Sequence, residues 1–193
     1  SVDAATVGSF DLDIIDSSNK LLEDLKENKF EIVYLLGQDN LDFKKKNEFV
    51  IYQGSHGDKG AEIADIILPG AAFTEQSGHY TNLEGKIQKA YKASYPPGDA
   101  KEDWQIINEI AELINNRKLF NDKEELESSM LNYINLKIDK QKLVDTKSDN
   151  QISFEDHTLK VKFKDYYFSN VIARSSKTML ECNNSKLNIK STG

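Results

Sequence analysis

The chain has 193 residues, 38% of them hydrophobic and 30% charged, a balance that fits one packed domain with a tail under a very polar surface. Its formal charge of −7 and pI of about 5.1 exclude a general nucleic-acid binder, which needs a basic face to displace counterions. The single cysteine, Cys182, excludes an internal disulfide framework and an iron–sulfur cluster held by four thiolates of this chain.

Residues 17–28, SSNKLLEDLKEN, have the spacing of a short amphipathic helix, with Leu21, Leu22 and Leu25 on one face and Asp16 or Ser17 as the cap. Phe30–Leu36, FEIVYLL, is a continuous apolar run, the pattern of a strand covered on both faces in a parallel sheet; Gly37 stops it. Phe49–Tyr52 and Ala64–Leu68 repeat that pattern, the second ended by Pro69-Gly70. A helix followed by three short buried strands predicts part of an open α/β sheet, parallel or mixed, flanked by helices. The only basic run, Lys44-Lys45-Lys46, lies between two of these strands and reads as a solvated turn.

Asp99 and Glu102 have capping-box spacing at the start of the strongest helix. In it, Trp104, Ile107, Ile110, Ala111 and Ile114 form an apolar face for packing on the sheet. Asp122 and Glu125 repeat the cap for a helix through about Ile134, with Leu126, Met130 and Tyr133 turned inward. Lys137–Asn150 is polar and without period. The expected organisation is an α/β domain over residues 1–136, a polar linker over 137–150, and a hairpin with an extended C-terminal tail over 151–193. Ile152-Ser153-Phe154 and Leu159–Phe163 alternate around Glu155-Asp156-His157 as hairpin strands do. The last thirty residues show scattered aromatics and no core of their own.

Most candidate chemistry falls between Ile51 and Ala90. Gly54, Gly57 and Gly60 recur at every third position after a strand, and such a loop lets backbone N–H groups approach a phosphate. It is neither G-x-G-x-x-G nor a P-loop, and no clear helix follows, so glycines supplying turn conformations explain it more simply. His56 and Asp58 form at best a weak base–orienter pair. Glu75, His79 and Glu84 fit no helix face and have no HExxH or cysteine partner for a metal. His157 reads as an exposed turn residue. Cys182 has no basic surroundings or histidine partner in the sequence, and no Gly-x-Ser-x-Gly elbow occurs. No apolar run approaches the roughly 20 residues that span a bilayer. Taken alone, these residues give a fold and no active site.

A longer pattern goes further. Ala64-Asp65-Ile66-Ile67-Leu68-Pro69, then Glu75, Gly78, Asn82, Glu84-Gly85 and Gln88, resembles the ADxxLP strand end and E-x-x-G-T-x-x-N-x-E-G-R-x-Q loop of the molybdopterin oxidoreductase superfamily. The fuller run from Tyr52 to Gln88, with Pro96-Pro97-Gly98 and Lys101-Glu102-Asp103-Trp104, resembles the C-terminal region of the family of large iron–sulfur subunits of respiratory complex I. Lys164-Asp165-Tyr166-Tyr167 and Ile172–Met179, then Cys182, resemble that family's closing segment. Residues 120–151 match little.

The resemblance implies a fragment of the molybdopterin-oxidoreductase-like fold acting as a non-catalytic scaffold in the peripheral arm. It implies no cofactor in this chain, with iron–sulfur clusters on a cysteine-rich partner that carries the N-terminal part of the subunit. Gly54, Gly57, Gly60, Glu75, Gly78, Asn82, Glu84, Lys86 and Gln88 then form an inherited cofactor frame, expected to be empty. The implied place is the matrix side of the mitochondrial inner membrane, or the cytoplasmic face of a bacterial inner membrane, without a membrane span of its own. Two departures weaken nucleotide binding further: Lys86 stands where the signature has Arg, and His79 where it has Thr. Lys offers a phosphate a point charge rather than a planar fork. The competing expectations are a fragment of an active molybdopterin enzyme holding a pterin nucleotide on the Gly54–Gly60 and Glu75–Gln88 loops, and a free-standing nucleotide-binding α/β module.

Overall fold

The computed structural model describes residues 6–15, 20–38, 41, 43–57, 59–140 and 166–190, and it divides into two units, 1–144 and 145–193. The first unit opens with helices α1 (Thr6–Asp11) and α2 (Lys20–Lys26). Leu21 and Leu22 are largely exposed and Leu25 is half-buried, so the expected apolar face of α2 is only partly used. The proposed caps Asp16 and Ser17 lie outside the described residues.

Three parallel strands follow in the order β1 (Ile32–Leu36), β2 (Phe49–Gly54) and β3 (Ile66–Pro69), with the four-residue helix α3 (Lys59–Glu62) before β3. Their β-branched and aromatic residues suit a pleated surface. Val33 lies opposite Val50 and Leu35 opposite Tyr52, which puts these four side chains on one face. Leu35, Val50 and Tyr52 are buried there beneath Leu41, Phe43, Ala61, Ile63 and Ala64.

The other face differs from the expectation of strands covered on both sides. Ile32 is 63% exposed, Phe49 44% and Ile66 45%, with Tyr34 and Leu36 also exposed. The alternate residues of each strand are as apolar as the core set, and on this face Gln53 is buried and Ile51 and Leu68 are half-buried, so the uncovered part is the row from Ile32, Tyr34 and Leu36 to Phe49 and Ile66. Parallel sheets ordinarily have both faces covered.

The long connection after β3 contains a hairpin that the sequence pattern does not reveal, β4 (Gly78–Thr81) paired antiparallel with β5 (Ile87–Ala90). Its turn has Gly85 at φ 81, a left-handed conformation that glycine adopts without strain. The chain then returns to the first sheet, where Lys101 pairs in parallel with Gly70, and enters α4 (Asp103–Asn115).

The cap of α4 is Glu102, whose N–H donates to the Gln105 side chain at 3.1 Å, rather than the Asp99–Glu102 pair. Asn116, left-handed at φ 53, ends the helix. The buried positions of α4 are Ile106, Asn108 and Ala111, while Ile107, Leu113 and Ile114 are exposed, so the packed stripe is rotated from the expected one. Asn108 closes the next loop: its side chain donates to the Phe120 carbonyl at 2.8 Å and accepts from the N–H groups of Leu119 and Phe120.

Helix α5 (Lys123–Lys140) begins with the expected cap, the Glu125 N–H donating to Asp122 Oδ1 at 2.8 Å. It runs into the region expected as linker, and Lys137 ties it back to the carbonyls of Phe10 and Asp11 and the carboxylate of Asp13. The rest of the linker and the expected 151–163 hairpin lie outside the described residues. In the second unit a 3-10 turn (Tyr166–Phe168), α6 (Val171–Ser175) and α7 (Lys177–Lys190) make the described part of the tail helical, with Cys182 exposed on α7.

The two faces of the sheet predict opposite mutational responses. Leu35→Ala is expected to destabilise the chain by about 3 kcal/mol through cavity formation. Ile32→Ala is expected to change stability by no more than about 0.5 kcal/mol. Urea unfolding midpoints of the two variants measure the contrast.

Candidate functional site

The glycine loop is built around Tyr52. This side chain is 2% exposed, and its hydroxyl donates to the His56 carbonyl at 2.6 Å. A Cβ on Gly54 would lie 2.6 Å from Tyr52 Cζ. One on Gly60 would lie 2.6 Å from the Gln38 carbonyl oxygen and 2.9 Å from Tyr52 Cδ2. Two of the three glycines therefore make room for a tyrosine ring and a neighbouring backbone. Gly57 is exposed, and a Cβ there would meet Ala61 Cβ at an ordinary 3.8 Å. His56 Nδ1 lies 3.0 Å from Ser55 Oγ; Asp58, its suggested partner, is outside the described residues.

Three further signature positions, Asp65, Glu75 and Asn82, are likewise engaged with backbone groups. Asp65, of the ADxxLP segment, accepts from the Val50 N–H at 2.7 Å and pairs with Lys45 at 2.6 Å, so it fastens β2 to the start of β3. The Lys45 ammonium, then the Val50 N–H, hold its carboxyl below the usual aspartate value. That pairing also assigns the central lysine of the basic run. Glu75 Oε2 accepts from the Ala72 N–H at 2.9 Å and closes the turn after β3.

Asn82 organises the hairpin tip: Oδ1 accepts from the N–H groups of Glu84 (3.0 Å) and Lys86 (2.9 Å), and its carbonyl accepts from Gly85. Gly78 begins β4 opposite Ala90, with open space where a Cβ would stand. Glu84, Lys86 and Gln88 are exposed around this turn, and His79 stands opposite Lys89 in the ladder. A pterin nucleotide needs convergent donors turned toward a cradle. The described loop positions instead direct Tyr52 into the glycine loop and the Glu75 and Asn82 oxygens onto backbone N–H groups.

The most connected polar site lies elsewhere, where the sheet, the loop before β4 and the two long helices meet. Gln53, at 0% exposure, accepts from the Tyr34 hydroxyl and donates to Asp103 Oδ1 at 2.7 Å. Gln76 donates to Asp103 Oδ2 at 2.8 Å and accepts from the Asp103 N–H. The adjacent Glu102 receives Lys123, Lys92 at 3.3 Å and the Trp104 indole N–H at 3.2 Å, and Lys123 also donates to the Ser77 carbonyl at 2.6 Å. Burial pushes the Glu102 carboxyl up, but the Lys123 and Lys92 ammoniums and the Trp104 indole outweigh it and hold it below the ordinary glutamate value. Burial, then the nearby Asp103 charge, raise the Tyr34 phenol.

Sequence patterns do not reveal this junction. Its local signals are a glutamine interrupting the apolar run Val50-Ile51-Tyr52-Gln53 and an acidic pair at a helix start. Beside it lies a groove of about 550 Å³ lined by Leu12, His79, Trp104, Phe120, Leu126 and Met130, among others. Leu126 and Met130 thus face inward as expected, while Tyr133 is 47% exposed and donates to Asp13. Among the described residues no group of three or more His, Cys, Asp or Glu side chains is placed to hold a metal ion. No described helix is long and apolar enough to cross a membrane.

Comparison with known proteins gives two family matches. Residues 2–113 match the molybdopterin oxidoreductase family, and residues 125–182 match the C-terminal family of the NADH-ubiquinone oxidoreductase G subunit. The chain is 37% identical to the NADH-ubiquinone oxidoreductase 75 kDa subunit of Reclinomonas americana, across 93% of this chain and 27% of that protein. It is 41% identical to the G subunit of the NADH-quinone oxidoreductase of Rickettsia bellii, across 98% of this chain and 28% of that protein. With the mitochondrial NADH-ubiquinone oxidoreductase 78 kDa subunit of Candida albicans the identity is 38%, across 93% and 26%. The chain thus spans about a quarter of the length of the curated relatives it matches.

Two outcomes check this geometry. Gly60→Ala is expected to destabilise by about 1–3 kcal/mol through overpacking against Gln38 and Tyr52. Gly57→Ala is expected to stay within about 0.5 kcal/mol, both read by thermal unfolding. For Glu102, a folded pKa below the unfolded value near 4.5 means that its stabilisation is present above that pH and is lost as pH falls through the folded value. Acid titration of stability should therefore flatten below pH 4.5 in Glu102→Gln relative to the parent.

Proposed function

The chain belongs to the molybdopterin oxidoreductase family, as the C-terminal part of the G-type subunit of NADH-ubiquinone oxidoreductase, and on that premise we propose that it is a structural, non-catalytic piece of that subunit. In this reading it supports the peripheral arm in electron transfer from NADH to quinone, and the iron–sulfur clusters reside on the part of the subunit that carries the cysteines. A single cysteine in 193 residues agrees with that division.

The observation that carries the proposal is the contrast between the engaged signature loop and the bare sheet. Asp65, Glu75 and Asn82 direct their oxygens to backbone N–H groups, and Gly54 and Gly60 close on Tyr52. A frame tied up in this way builds surfaces rather than presenting donors to a nucleotide. The exposed row Ile32, Phe49 and Ile66, meanwhile, leaves one face of a parallel sheet without its layer. We assign that layer to the rest of the subunit. As a peripheral-arm component the chain would sit on the matrix side of the mitochondrial inner membrane, or on the cytoplasmic face of the membrane in a bacterium.

Native separation of membranes followed by mass spectrometry tests the assignment. The chain is expected in the band with NADH dehydrogenase activity, together with the cysteine-rich part of the subunit. A folded monomer absent from every respiratory complex overturns it. Metal analysis and fluorescence of released pterin on the same band address the alternative of an active molybdopterin enzyme. The proposal expects no molybdenum and no pterin in stoichiometry with this chain, and their presence overturns the non-catalytic role.

A further inference from the structure

We draw no further inference here: the strongest candidate, the apolar groove of about 550 Å³ lined by Leu12, Trp104, Phe120 and Met130 between the end of α1, the β4–β5 hairpin and helices α4 and α5, carries nothing because nothing in the structure shows what covers it.

Discussion

The arrangement of the first unit depends on satisfying one buried amide. Gln53 sits at the end of the central strand with no exposed surface, where an unpaired amide costs on the order of 1–3 kcal/mol. The Tyr34 hydroxyl and the Asp103 carboxylate satisfy it, and Asp103 is the first residue of α4. Pairing Gln53 therefore fixes where the helix begins relative to the sheet. Gln76 bonds the same carboxylate, and neighbouring Glu102 draws in Lys92, Lys123 and Trp104. A chain of required partners thus joins sheet, hairpin loop and both long helices. Among groups this buried, removing one partner strands the next.

The signature loop shows how motif residues can persist as structure. Asp65 of the strand end fastens two strands together, Asn82 shapes a hairpin turn, and Gly54 and Gly60 give Tyr52 its space. Each of these roles demands a particular residue type, because a carboxylate, a side-chain carbonyl or the absence of a Cβ is what the geometry uses. None requires a bound cofactor. Lys86 and His79, the two departures from the signature, fall at an exposed turn and on a short antiparallel ladder, where a change of side chain leaves the backbone pattern intact.

Much of this fold was legible in the sequence, for physical reasons that differ from element to element. The three parallel strands announced themselves as apolar runs stopped by Gly37 and Pro69-Gly70, because a strand between two layers must be apolar on both sides. The same signal overstated burial, since a sequence built for two layers reads alike whether or not the second is present. The β4–β5 hairpin escaped notice because His79, Gln88 and Lys89 dilute its alternation; the Asn82–Gly85 turn was the available clue. The packed stripe of α4 was misplaced because helix and loop contacts, rather than apolarity alone, select Ile106, Asn108 and Ala111. The Gln53 junction was invisible locally, since its partners lie 19 and 50 residues away. The family resemblance reached what composition and spacing did not, because it rests on the joint order of many residues rather than on any one chemistry.

The bare sheet face also bears on the life of the chain inside a cell. A row of Ile32, Phe49 and Ile66 open to water is the kind of surface that chaperones hold and proteases find. Covering that row would remove apolar surface from water and from chaperones and proteases alike, so the same side chains that weaken the isolated sheet would favour whatever packs on it.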